Sequence, residues 1–153
     1  MFFENQYQLA YVTPDLDQGI AILEQQYGVP AFKGLGGDNF VENNVWTPDG
    51  EREIGMRVAI ATVGHLTIEV LQPVSGATGI FTDMLLPGQP LRLHHIGMRT
   101  NDLETVRAGH EAAGRKIVMA GGYKLAKFIY VDARATLGHF LEYAQAPAEH
   151  WDR

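Results

Sequence analysis

The sequence predicts an α+β protein of two paired βαβββ modules forming a curved mixed sheet around a central cleft. The prediction rests first on a repeat. Gln8-Leu9-Ala10-Tyr11-Val12-Thr13-Pro14-Asp15-Leu16 aligns with His95-Ile96-Gly97-Met98-Arg99-Thr100-Asn101-Asp102-Leu103, each a short β-rich run that ends in a helix start. Each copy then continues through a helical stretch into three strand-like runs. A helix on one face of each sheet leaves the other face free to curve around something.

In the first copy Thr13 is the expected N-cap, with Pro14 at the first helical position; Leu16, Ile20, Leu23 and Tyr27 follow at helical spacing, and Gly28 stops the helix. In the second, Thr100 or Asn101 caps. Glu104 stands three residues after Asn101 as in a capping box, and Leu103, Val106 and His110 precede a stop at Gly114. Strand-like runs over Asn39–Trp46, Glu51–Ala61 and His65–Leu71 form a meander, parted by Thr47-Pro48-Asp49-Gly50 and by Val63-Gly64. Their counterparts are Lys116–Ala120, Ala126–Asp132 and Gly138–Ala144, with Gly121-Gly122 between the first two. One domain over residues 1–153 is expected, with modules at about 5–72 and 92–146 and a linker over 73–91.

Composition bounds the function. At 153 residues, 46% apolar and 20% charged, the chain suits a globular domain able to bury a core. The longest stretch without a charged side chain, Val70 to Thr82, is interrupted by Gln72, Pro73, Ser75 and Gly76, so no membrane span is expected. The run Met1-Phe2-Phe3-Glu4-Asn5-Gln6 has no secretory pattern, and a cytoplasmic location is the default expectation. A net charge of −6 argues against nucleic acid. Residues 1–91 hold 3 basic and 11 acidic side chains, residues 92–153 hold 9 and 7, so the second half is the one suited to an anionic small molecule. The plainer alternative is a solvated surface with Arg107, Arg115 and Lys116 on or near an exposed helix. Ser75 is the only serine and cysteine is absent, which leaves acyl-enzyme chemistry almost without a nucleophile.

Four polar residues fall at matching places. Gln8 and His95 stand on the first strand of each copy; Glu69 and Glu142 are single acids in otherwise uncharged last strands, Leu66–Leu71 and His139–Tyr143. A carboxylate in a buried strand is costly unless paired or coordinated. Gln, Glu, His and Glu give one nitrogen and three oxygen donors, a set suited to a divalent ion such as Zn, Ni, Co, Mn or Fe with positions left open. Taken singly, each residue has an ordinary reading: an edge-strand amide, a hydrogen-bonded core histidine, or solvent-facing acids. Phe40, Trp46, Phe128 and Tyr130 divide between core and pocket wall.

The repeated unit, the Asp seven residues after Gln8 and after His95 (Asp15, Asp102), and the motifs Ile68-Glu69-Val70-Leu71-Gln72-Pro73 and Phe140-Leu141-Glu142-Tyr143 resemble the vicinal oxygen chelate superfamily. That superfamily includes glyoxalase I, methylmalonyl-CoA epimerase, extradiol dioxygenases and bleomycin-resistance proteins. The resemblance implies a glyoxalase-like fold, a divalent metal on Gln8, Glu69, His95 and Glu142, and proton abstraction beside a carbonyl with a stabilised enolate. Glu142 is the first choice of base and Glu69 the second. The Gln/Glu/His/Glu set is similar to the glyoxalase I branch, whereas Leu93-His94-His95-Ile96-Gly97 and the chain length look like the epimerase branch. Arg99, four residues after His95 on the same strand face, is a candidate for a substrate carboxylate or phosphate. His65, on the parity of Glu69, is a candidate at the pocket mouth. The expected protein is thus a metal-dependent lyase or isomerase acting on a small molecule, and a homodimer by analogy with the family. The competing readings are a module that sequesters a ligand and a metal-dependent dioxygenase, the latter disfavoured by Gln8.

Overall fold

A computed structural model describes residues 2–151; Met1, in the N-terminal run, and Asp152 and Arg153, at the end of the expected domain, lie outside the described residues. The elements in chain order are β1 (Gln6–Val12), α1 (Leu16–Tyr27), β2 (Lys33–Gly34), a 3-10 turn (Gly37–Asn39), β3 (Phe40–Thr47), β4 (Gly50–Val63), β5 (Leu66–Gly76), α2 (Gly79–Thr82), β6 (Arg92–Arg99), α3 (Leu103–Ala112), β7 (Ile117–Tyr123), β8 (Ala126–Asp132), α4 (Arg134–Leu137), β9 (Phe140–Gln145) and α5 (Ala148–Trp151). The class is α+β, and both copies of the repeat are present. No helix among the described residues is long and apolar enough to cross a membrane.

The chain divides into two compact units. One contains Gln8–Glu42 and Glu53–His94; the other contains, among the described residues, 2–7, 43–52 and 95–151. In the first, β1 runs parallel to β5, and β5 runs antiparallel to β4, which also takes the short β2. Helix α1 packs Leu16 and Leu23 with Ala59 and Val70. In the second, β6 runs parallel to β9, and β9, β8 and β7 are successively antiparallel. Leu103 of α3 joins Met98, Ile117, Ile129, Val131, Leu141 and Tyr143 in its core. Trp46 of β3 lies opposite Ala120 of β7, so the far end of the first copy's meander packs with the second copy.

Several local expectations need correction. The N-caps are Asp15 and Asp102, whose carboxylates accept from Gln18 N at 3.2 Å and Thr105 N at 3.0 Å. Thr13 and Thr100 act two residues earlier, each accepting from the N–H of its aspartate at 3.1 Å. A carboxylate makes a stronger, charge-assisted cap than a hydroxyl, and the Thr105 hydroxyl and N–H hold Asp102 below its ordinary pKa. With Asp102 as cap, Glu104 no longer stands at the reciprocal position, so there is no Asn101–Glu104 capping box. Tyr27 is 73% exposed and outside the buried stripe. Strand β5 continues through Pro73 to Gly76, and Pro73 is tolerated where the register against β4 slips between Gly55 and Met56. The expected linker therefore begins with strand and then holds α2. Gly121 and Gly122 lie inside β7 rather than in a turn. Phe128 covers Gly121, where an added Cβ would meet its ring at 2.9 Å.

A contact not legible in the sequence ties each helix to its last strand. Gln72 Oε1 accepts from Leu16 N and Gln145 Oε1 from Leu103 N, both at 2.9 Å. These satisfy helix N-termini that otherwise lack partners.

His110 is fully buried in α3 and completely bonded. Its Nε2–H donates to the Tyr143 hydroxyl at 2.9 Å, its Nδ1 accepts from Arg115 Nε at 2.8 Å, and Tyr143 donates onward to Phe2 O at 2.9 Å. This pattern fixes the neutral Nε2–H tautomer. Burial, helped by the Arg115 charge, lowers the His110 pKa to about 4, while burial raises that of Tyr143. The unfolded chain therefore binds a proton that the folded one refuses, and stability falls as pH drops from about 6.5 toward 4. Between pH 7 and 4.5 the wild type is expected to lose about 2 kcal/mol more than His110→Gln, as read from urea unfolding at both pH values.

Candidate metal centre

Gln8 and Glu69 meet within the first unit. Gln8 is 4% exposed, and its Nε2 donates to Glu69 Oε2 at 3.4 Å. The parallel register places Ala10 opposite Glu69, so Gln8 stands two residues before that partner and on the same face. The second unit repeats the arrangement. Gly97 lies opposite Glu142, His95 stands two residues before it, and His95 Nε2 donates to Glu142 Oε2 at 2.7 Å. His95 is fully buried and Glu142 is 8% exposed.

The neighbours of the two acids differ. On its antiparallel side Glu69 faces Ile60, whereas Glu142 faces Tyr130. The Tyr130 ring meets His95 edge-on at 5.0 Å and Phe128 packs on Tyr130 at 5.5 Å. Tyr130 is thus an aromatic wall of the His95–Glu142 pair. Its parity with Glu142 across the β8–β9 ladder was the signal available in sequence.

Adjacent histidines take opposite faces of β6. His94 is the core histidine: fully buried, stacked on Phe81 at 4.4 Å, its Nε2 donating to Ile80 O at 3.0 Å. His65 occupies the exposed turn after Gly64, whose φ is +61°. Arg99 ends β6 with its guanidinium carbon 4.8 Å from the Trp151 ring and 5.5 Å from that of Tyr7. Neither aromatic contact is legible from spacing, because Tyr7 and Trp151 lie at the two ends of the chain.

The donor types fit a divalent ion. Glu69, His95 and Glu142 each offer one ligand atom, and Gln8 adds an amide oxygen; mixed nitrogen and oxygen sets suit first-row divalent metals. An ion held by His95 and Glu142 would take the place of the proton now between them.

Comparison with known proteins identifies the family and the fold. Residues 7–131 match the family model described as glyoxalase/bleomycin resistance protein/dioxygenase superfamily. The chain belongs to that superfamily. Among solved structures, the superfamily member is similar to methylmalonyl-CoA epimerase from Mycobacterium tuberculosis, with a TM-score of 0.67 at 13% identity over 99% of this chain and 94% of that one. It is also similar to a Streptomyces coelicolor methylmalonyl-CoA epimerase variant in complex with 2-nitronate-propionyl-CoA, with a TM-score of 0.66 at 15% identity over 94% and 98% of the two chains. A hypothetical protein of Bacillus halodurans gives 0.64 at 14% identity over 92% and 93%. These likenesses establish the shared glyoxalase-like fold. No curated protein matches the chain by sequence.

The His95–Glu142 pair makes a prediction that needs no metal. In chelator, His95→Leu strands a buried carboxylate and is expected to cost about 3 kcal/mol in urea unfolding at pH 7. Adding Glu142→Leu to it is expected to recover most of that loss, giving a large coupling in the double-mutant cycle.

Proposed function

We propose that this protein is a metal-dependent isomerase or lyase that removes a proton next to a carbonyl, with residues 1–153 acting as one domain. The observation that carries the reading is the repetition of one donor pair at one register, Gln8 with Glu69 and His95 with Glu142. In this reading the four side chains hold one divalent ion, Zn, Ni, Co, Mn or Fe. Such an ion, when bound, supplies Lewis-acid stabilisation of negative charge developing on a substrate carbonyl oxygen.

The protein's own groups do the rest. Glu142 takes the proton at its carboxylate, because it is the more enclosed of the two acids and a proton held there is shielded from exchange with water. The β6–β9 register, which sets Glu142 opposite Gly97 and beside His95, positions that carboxylate. Glu69, on the other donor pair, is assigned as the second acid, the one that returns a proton in an epimerisation. Tyr130 and Phe128 exclude water from the His95 side. Arg99 and His65 are assigned to more distant parts of the substrate. Acyl-CoA epimers and glutathione–methylglyoxal adducts are the substrates to assay, the first suggested by the structural neighbours and the second by the glutamine-containing ligand set.

Elemental analysis of the untagged protein is expected to give about one equivalent of a divalent metal. Gln8→Ala and His95→Ala, purified alongside, are expected to lose it, and uptake after chelation is expected to restore it only in the wild type. A wild type that neither retains nor takes up metal overturns the proposal.

Glu142→Gln is expected to lower kcat about a thousandfold. In D2O the same variant is expected to stop deuterium incorporation beside the carbonyl of the substrate that is turned over. Retained turnover removes Glu142 as the base.

A further inference from the structure

We infer that Arg99 is an oxyanion-recognition site, built to hold a carboxylate or phosphate side-on at the end of the ligand remote from His95 and Glu142. The inference deepens the proposed function by naming what the far end of its substrate carries. The site itself lies entirely within the second unit.

Among the described residues, four arginines in that unit seat their guanidinium on an aromatic ring. Arg107 lies over Trp46 and also bonds Glu111 at 3.1 Å. Arg115 lies over Phe2 and donates to His110 at 2.8 Å. Arg134 lies over Phe140 and bonds Asp132 at 2.8 Å. Arg99 has the ring contacts without the acceptor: its Nε is buried with no hydrogen-bond partner, and no carboxylate among the described residues pairs with it. A buried donor without an acceptor is rare and costly, and its usual remedy is an acceptor supplied from elsewhere.

Geometry says what kind of acceptor. The guanidinium carbon is 4.8 Å from the Trp151 ring and 5.5 Å from the Tyr7 ring, and the two rings meet edge to face at 5.0 Å. These three distances form a nearly equilateral triangle, so the cation sits in the angle between the rings rather than sandwiched between them. Ring contacts of this kind orient the cation without consuming its donors, all of which lie in the guanidinium plane. An oxyanion accepting from Nε and one terminal nitrogen together satisfies the buried donor and the charge at once.

Placement ties this site to the chemistry. His95 and Arg99 lie on the same face of β6, four residues apart, which is about 13 Å along an extended strand. The reacting group and the anionic end of one extended ligand are thereby set along one strand. The sequence already put the basic excess in this half of the chain, with 9 basic and 7 acidic residues over 92–153.

Trp151 lies against the site and is the natural reporter. In a Trp46→Phe background, which leaves Trp151 as the only tryptophan, succinate or inorganic phosphate is titrated at constant ionic strength into chelator-treated and into metal-supplemented protein. The expected result is a saturable change in Trp151 emission with at least one of the two anions. Arg99→Lys is expected to bind at least tenfold more weakly and Arg99→Met not measurably. A response to succinate alone identifies a carboxylate end, and a response to phosphate a phosphate end. The Arg99 Nε–H resonance of the otherwise wild-type protein, identified by its loss in Arg99→Lys, is expected to shift with the same anion. It needs no variant to fold under titration.

Absence of a saturable response to either anion with an unmoved Nε–H signal overturns the proposal, as does a response that persists in Arg99→Met. Failure of the metal reading shows differently, as a protein without metal that still binds the anion through Arg99.

Discussion

Parallel pairing between the first and last strand of each repeat is the constraint on which the candidate site depends. In both units the acid of the last strand lies opposite the residue two places after the polar side chain of the first, Ala10 for Glu69 and Gly97 for Glu142. A slip of one residue would turn either acid to the other face of its sheet. The register is held where strand becomes helix. Thr13 N bonds Leu71 O and Thr100 N bonds Ala144 O, both at 2.9 Å, and the next residue of each last strand, Gln72 or Gln145, accepts from the first helical N–H. Helix start and ligand strand are thus fastened at the same place in each copy, three residues from the acid.

Three histidines show how position on such a scaffold decides role. His94 and His95 are neighbours and both fully buried, yet alternation turns one onto Phe81 and Ile80 and the other onto Glu142. His110, at the end of α3, has each ring nitrogen engaged, by Tyr143 and by Arg115, and is locked neutral. A histidine with both nitrogens committed to the protein has nothing left for a ligand. His95 shares its Nε2 with a carboxylate that is itself a candidate ligand, and so remains exchangeable.

Much of this was legible because the sequence repeats. Alignment of Gln8–Leu16 with His95–Leu103 located both first strands, both helices and, through Glu69 and Glu142, both acids. Contacts that depend on distant chain segments were not legible. Tyr7 and Trp151, from opposite ends of the chain, surround Arg99, and no local pattern announces it. The caps were misread because Thr, Asn and Asp all suit an N-terminus, and only backbone geometry separates the cap from the turn leading into it. Gly121-Gly122 read as a turn because glycine pairs usually are one, whereas the Phe128 ring needs that space inside the strand.

The two copies have diverged in the neighbours of their acids. Glu69 is met by a neutral amide and faces an aliphatic Ile60, while Glu142 is met by an imidazole and faces Tyr130. The acids differ in enclosure as well, Glu142 being buried and Glu69 half-buried, and this is the ground on which the proposed function gives the proton to Glu142. The second unit also carries Arg99, whose buried Nε has no acceptor among the described residues, on the same strand as the histidine. On the proposed reading, strand β6 sets the spacing between the point of chemistry and the point of recognition. A spacing fixed by the rise of a hydrogen-bonded strand is more exact than one spanned by a loop. On that reading, selection for ligand length follows from the backbone of one strand.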